Sequence, residues 1–421
     1  MGVTLNAGDT AWMLVATALV LFMTPGLAFF YGGMVRSKNV LGMLMQNFFA
    51  MGLLAVLWAL VVFSLAFGRA GDGGFVGDLH YLGLRHVGEL AGGDGGFLKS
   101  LTIPFILFAA YQMTFAIITP ALITGAAADR LKFSAYAWFI GLWLVLVYGP
   151  VAHMVFGGGW IAEQGALDFA GGAVVHVNAG AAAVAVIIVL GVRRGYPEQP
   201  MLPHSLPLTL LGTGILWFGW AGFNAGSALA ANGVAGQALF NTFGAASAAM
   251  LGWLLVERIR GGHATTLGAA SGAVAGLVAI TPCAGYVGSM PALLIGFLAG
   301  VACFLAISLK RRLKLDDSLD VIAVHLVGGL LGALLLGLFA DPAVNAAVVD
   351  PGLFISGGGA ALLGHQLVAV GVTFAYSFVV SLLIAKGLDL TIGMRISPEA
   401  EDTGLDLALH AETAYVGGFH S

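Results

Sequence analysis

Two histidines set in uncharged, apolar segments are the residues of this 421-residue chain best placed to do chemistry. His176 lies in Asp168-Phe-Ala-Gly-Gly-Ala-Val-Val-His-Val-Asn-Ala-Gly180, and no formal charge occurs from Phe169 to Val192. His325 lies in Asp320-Val-Ile-Ala-Val-His-Leu-Val-Gly-Gly329. A helix needs about 20 apolar residues to cross a bilayer, which puts His176 near mid-membrane. An ionisable group there costs several kcal/mol unless it has a partner or a wet cavity, and is a functional candidate by default. Two such rings facing each other form a narrow apolar passage with a shared proton at its centre. A neutral imidazole donates through one nitrogen and accepts through the other, so the pair suits ammonia, water or a small amine. It titrates as a unit.

A blander reading stays open at this point. Gly172 and Gly180 flank His176, and Gly328 and Gly329 follow His325, at spacings that share a helix face and let helices approach closely. Each histidine then belongs to a packing face. A metal pair is the other alternative, but no Cys, Asp or Glu accompanies the histidines within the apolar cores, and a closed zinc site wants four ligands. Asp168, at the outer end of its segment, reads as a helix N-cap that also lends a negative field to the mouth. Asp320 has the same two readings at the other end of the His325 segment.

Two aromatic stretches complete the candidate set: Tyr111-Gln-Met-Thr-Phe115, and Trp217-Phe-Gly-Trp220-Ala-Gly-Phe223-Asn-Ala-Gly-Ser227. Rings beside a hydroxyl hold a small cation by cation–π attraction worth up to about 2 kcal/mol when desolvated. Burying a bare monovalent ion costs on the order of 20 kcal/mol in the ideal limit. Such a mouth selects a cation that the apolar passage cannot carry; deprotonation at the mouth lowers that barrier.

The elements that position these residues are membrane helices. The chain is 59% hydrophobic and 9% charged, with 63 glycines and a mean hydropathy of +0.96. That excludes a soluble fold and, by the strength of the signal, a β-barrel. A net charge of −4 argues against a nucleic-acid partner. Cys283 and Cys303 both lie in apolar spans, so no disulfide framework is expected. Eleven hydrophobic segments are predicted at 11–33, 42–67, 98–124, 133–156, 171–192, 207–229, 237–256, 264–283, 290–309, 319–340 and 361–386. No Lys or Arg precedes Arg36, so the first segment is expected to be a retained span rather than a signal peptide, with an upstream leader left open. Of the 17 basic residues, only Arg69, Arg85 and Lys99 fall in loops after even-numbered spans. The positive-inside rule then places the N-terminus outside and the C-terminus in the cytoplasm of a multi-pass cell-membrane protein. The outer loop 68–97 is rich in turn residues, including Gly92-Gly93-Asp94-Gly95-Gly96. Residues 1–386 form the membrane domain, and 387–421 a cytoplasmic tail suited to docking or regulation. Spans 1–5 (about 11–192) and 6–10 (about 207–340) read as two inverted five-helix halves, with the eleventh left over and one histidine in the last span of each half.

With these residues in hand the chain resembles the ammonium transporter family (Amt/Mep/Rh), of the bacterial Amt type. The likeness rests on the Asp168–Gly180 stretch, Pro25-Gly-Leu-Ala-Phe-Phe-Tyr-Gly-Gly, Gly-Trp-Ala-Gly-Phe-Asn-Ala-Gly-Ser227, Asp320 to His325, and Asp389-Leu-Thr-Ile-Gly-Met-Arg. It implies a homotrimer of eleven-span protomers, each with its own pore, that conducts ammonium or ammonia and accepts methylammonium as an analogue. It implies no cofactor and no enzymatic activity. It casts His176 and His325 as the twin pore histidines, Phe115 and Phe223 as the stacked outer gate, and Thr281 as a residue near the pore. Phe115, Trp220 and Ser227 would line the outer recruitment site, with Asp168 as its acidic support. In the family motif His-Met-Val-Trp-Gly-Gly-Gly a Trp serves that site; here the residue is Phe156, with a weaker cation–π face and no indole N–H. The tail would contact a PII-type nitrogen-signalling protein. The alternatives are an ammonium sensor signalling through that tail, a membrane metalloenzyme, and a neutral-gas channel of the Rh type.

Overall fold

The computed structural model describes residues 4–88, 92–93 and 95–415; Asp94 of the glycine-rich loop lies outside them. Among the described residues the fold is helical throughout, without a strand. Among the described residues ten helices are long and apolar enough to cross a membrane. They are α1 (Ala7–Met34), α2 (Ser37–Phe67), α3 (Phe105–Ala127), α4 (Phe133–Glu163), α5 (Gly172–Leu190) and α6 (Leu206–Ala228). After these come α7 (Gly233–Gly261), α9 (Ser289–Arg312), α10 (Ile322–Phe339) and α11 (Ala361–Thr391). The predicted eighth span is the exception. Its helix, α8 (Thr266–Ile280), has 15 residues and spans about 22 Å against a hydrocarbon core of about 30 Å. Thr265 caps its start, its hydroxyl accepting from Gly268 N at 2.9 Å. Pro282, whose ring clashes with the carbonyl four residues back, ends it. The predicted count of eleven spans is therefore ten by length, plus one short apolar helix. The third span begins later than predicted, at Phe105 rather than 98, because Pro104 occupies the position before it.

The closest helix approaches run through glycines. In α1 against α6, a Cβ on Gly26 would fall 2.6 Å from Ile215, and one on Gly212 would fall 2.2 Å from the Phe30 nitrogen. In α5 against α10, a Cβ on Gly180 would fall 2.5 Å from Leu326 Cβ. A Cβ on Gly329 would fall 2.9 Å from His176 Cβ. α1 thus pairs with α6, and α5 with α10, at distances only a missing side chain permits. The glycine faces and the paired histidines are one arrangement rather than alternatives.

At one end of the bundle the loops after α1, α3, α5 and α9 converge with the tail. Asp129 pairs with Arg36 at 3.1 Å and Arg193 at 3.4 Å; Arg193 also pairs with Asp316 at 2.8 Å. Arg130 is fully buried, and its guanidinium donates to Gly191 O, Ala128 O, Ser318 Oγ and Asp316 O. Burial pulls its pKa down to about 10 despite the neighbouring Asp316 carboxylate. The tail helices α12 (Pro398–Thr403) and α13 (Leu405–His410) lie on this layer. Glu401 accepts from Arg395 and from Arg194 N, and Asp406 accepts from Gly42 N.

Candidate functional site

Both histidines sit on wide π-helical turns, Gly172–Val177 in α5 and Ile322–Val327 in α10; a third, Ala221–Ala225 in α6, carries Phe223. Such turns gather at functional sites because they redirect side chains from the regular register. Each histidine turn opens on a carboxylate. Asp168 Oδ1 accepts from Gly171 N and Gly172 N at 2.8 and 2.6 Å, and Oδ2 accepts from Ala173 N and Val174 N at 2.8 and 3.2 Å. Gly171, at φ 120°, supplies the left-handed conformation that wraps this loop round the carboxylate. Burial pushes the Asp168 pKa up and the four N–H groups pull it back, leaving it raised. Its work is positional: all the hydrogen bonding goes into the turn that holds His176, and it lines neither cavity of the passage.

Asp317 is the residue the sequence reading missed. It accepts from Val321 N at 3.1 Å and Ile322 N at 2.7 Å, at the opposite end of the bundle, and so opens the His325 turn as Asp168 opens the other. The spacing Asp-x7-His is identical in Asp168/His176 and Asp317/His325, a signal legible in the sequence. Asp320, considered for that place, has a positive φ of 62° and pairs with Lys310 instead.

The rings face each other with Nδ1 to Nδ1 at 3.3 Å and centroids 5.3 Å apart. One Nδ1 must donate and the other accept, so one free Nε2 is a donor and the other an acceptor. Nε2 of His176 is buried with no protein partner. The rings line a chamber of about 10 Å³ with Leu27, Ile118, Val175 and Leu216. That is room for about one water-sized guest. Trp220 stacks on His176 at 5.7 Å, and its indole N–H donates to Thr281 Oγ1 at 3.0 Å, so Thr281 orients the chamber wall from behind.

Outside the chamber Phe115 and Phe223 close the way, centroids 4.3 Å apart and both 1% exposed. Beyond them a vestibule of about 110 Å³ is lined by Phe115, Phe156, Ser227, Gln112, Phe108 and Phe169 among others. Tyr111 sits behind it, its hydroxyl 2.9 Å from the carbonyls of Gly222 and Phe223 and 3.2 Å from Ser227 Oγ. Phe115, Phe156 and Ser227 are therefore brought together in the lining of one cavity. Trp220 is not among them; it lies on the chamber side of the phenylalanines, because the π turn after it swings Phe223 between the two spaces. Trp160 stacks on Phe75 away from the vestibule.

The chain matches the model of the Ammonium Transporter Family over residues 11–415. It is 54% identical over 433 residues to an ammonium transporter of Mycobacterium bovis, covering 97% of this chain and 90% of that one. Among solved structures it resembles Saccharomyces cerevisiae Mep2, with a TM-score of 0.86 and 34% identity over 94% of this chain and 89% of that one. It also resembles a sensor Amt protein, with a TM-score of 0.86 and 29% identity over 96% and 98%. The twin-histidine passage thus stands in a chain that belongs to the ammonium transporter family.

Proposed function

We propose that this protein carries ammonium across the cell membrane by recruiting the cation outside, removing its proton and passing ammonia along the two histidines. The observation that supports this most is the Nδ1–Nδ1 contact inside a closed apolar chamber behind two stacked phenylalanines. Phe115, Phe156 and Ser227 hold the ammonium ion by ring faces and a hydroxyl oxygen. With cation–π attraction near 2 kcal/mol against a desolvation cost an order of magnitude larger, the ion gives its proton to solvent water at the vestibule, and ammonia alone enters the chamber. Ammonia then finds one donor and one acceptor nitrogen on the pair.

In this reading α8 completes eleven spans despite its length, and α1–α5 and α6–α10 are inverted halves. The end where basic loops and tail converge faces the cytoplasm, leaving the N-terminus outside. Three protomers assemble, and a PII-type protein meets the tail. The protein is a transporter rather than an enzyme. Expression in cells lacking ammonium uptake should restore growth on low ammonium and drive methylammonium uptake; no rescue despite membrane expression would refute the proposal. A sensor role is the second reading, favoured by the likeness to a sensor Amt protein and by a tail seated on the α1–α2 turn. Truncation after Lys386 separates the two: signalling lost with flux intact supports the sensor.

A further inference from the structure

At the tail-bearing end of the bundle, away from the passage, lies a cleft of about 740 Å³ between the α1–α2 turn, the start of α6 and the last described residue of the tail. That is the size of a small-molecule site. Arg36, Lys38 and His204 line it with Ser37, Ser205 and Tyr415, and no carboxylate lines it among the described residues. Of the carboxylates nearby, Asp129 pairs with Arg36 Nε as well as with Arg193 and so offsets part of the Arg36 charge, while Glu401 is committed to Arg395 and Arg194 N and Asp402 to Arg194. Among the described residues Lys38 Nζ donates to the carbonyls of Glu401 and Asp402 and forms no ion pair, and Arg36 Nη2 is buried without an acceptor.

The helix geometry has the same sign. The 23-residue α6 starts at this cleft with Ser205 as its cap, so the positive end of its dipole adds to the two cations. His204 Nδ1 donates to Val35 O, and its Nε2 lies 2.8 Å from the Tyr415 hydroxyl. The tail thus reaches the cleft through Tyr415. Leu202, 72% exposed, adds an apolar rim.

We propose that this cleft binds a phosphate ester between Lys38, Arg36 and the start of α6, next to the point where Tyr415 anchors the tail. The shared chemistry is a phosphate with an organic substituent; its source is a phospholipid headgroup or a soluble nucleotide. The inference does not depend on what the passage conducts.

The test uses the full chain in nanodiscs. One arm compares pure phosphatidylcholine with phosphatidylcholine containing phosphatidylglycerol, reading bound anionic lipid by native mass spectrometry. The other titrates AMP into the phosphatidylcholine sample, with inorganic phosphate as competitor, by calorimetry. Saturable binding in either arm is expected, and the arm that shows it identifies the source. Lys38→Gln should weaken it at least tenfold, Lys38→Arg should keep it within about threefold, and Arg258→Gln, in the last turn of α7 and outside the cleft lining, should leave it unchanged. Size-exclusion profiles and melting temperatures establish that each variant is folded; if Lys38→Gln is not, Lys38→Met takes its place. Saturable binding in neither arm overturns the proposal, as does binding that Arg258→Gln weakens as much as the charge-removing Lys38 variant does.

Discussion

Replacing one chamber histidine by leucine should cost more per side chain than replacing both. Among the described residues each ring is the other's only side-chain hydrogen-bond partner, at 3.3 Å, and His176 Nε2 already lacks a protein acceptor or donor. Leucine keeps an apolar volume in place and removes the hydrogen-bonding atoms. His325→Leu therefore strands His176 Nδ1 in a dry space and takes away one of the two atoms that greet ammonia. An unsatisfied buried polar group costs about 1–3 kcal/mol, so the transit barrier should rise by that amount and flux fall roughly 5- to 150-fold. His176→Leu should do the same. In the double variant no ring is stranded, and its loss should fall well short of the product of the two single losses. A coupling of about 1–2 kcal/mol is expected, within the range for residues in direct contact. The assay is ammonia-driven internal pH change in proteoliposomes, with methylammonium uptake as a second readout. Half-saturation should move less than maximal rate, because recruitment takes place beyond Phe115 and Phe223. Single losses that multiply in the double variant would show that the rings act independently, and would refute the shared-proton geometry.

Three further outcomes follow from named contacts. Phe156→Trp should lower the half-saturating concentration for methylammonium about 3- to 10-fold with little change in maximal rate, since indole offers a stronger cation–π face at the vestibule; an unchanged value would remove Phe156 from recruitment. Gly329→Ala should destabilise the fold by about 1–3 kcal/mol and abolish flux, because its Cβ would stand 2.9 Å from His176 Cβ and backbone lies behind it; wild-type melting and flux would contradict that packing. Burial raises the Asp317 carboxyl to about 6, above its ordinary value of 3.8. A folded pKa above the unfolded one contributes stability that is complete below the unfolded value and lost as pH rises through the folded one. The wild type should therefore lose stability relative to Asp317→Asn between pH 4 and pH 7, by up to about 3 kcal/mol. Melting curves of the two proteins that stay parallel across that range would refute it.

Much of this molecule is written in its sequence as charge and spacing. Apolar run length fixes where helices cross, because lipid leaves the backbone no partner but itself. The uncharged surroundings of His176 and His325 marked them as functional, because an ionisable group in hydrocarbon is too costly to keep idly. The glycines beside them told of close helix approach. The repeated Asp-x7-His spacing was equally available, yet its meaning is invisible until both carboxylates are seen accepting from the first N–H groups of a π turn. What only the tertiary structure decided is direction. A regular helix would have set Trp220 and Phe223 about 60° apart on one face, and both were read as mouth residues. The π turn at Ala221–Ala225 changes that register, sending Trp220 to the chamber and Phe223 to the constriction. Pro282 likewise cut α8 short so that Thr281 could hold that tryptophan. Local propensity cannot report such turns, because their cost is met by contacts with helices far away in the chain.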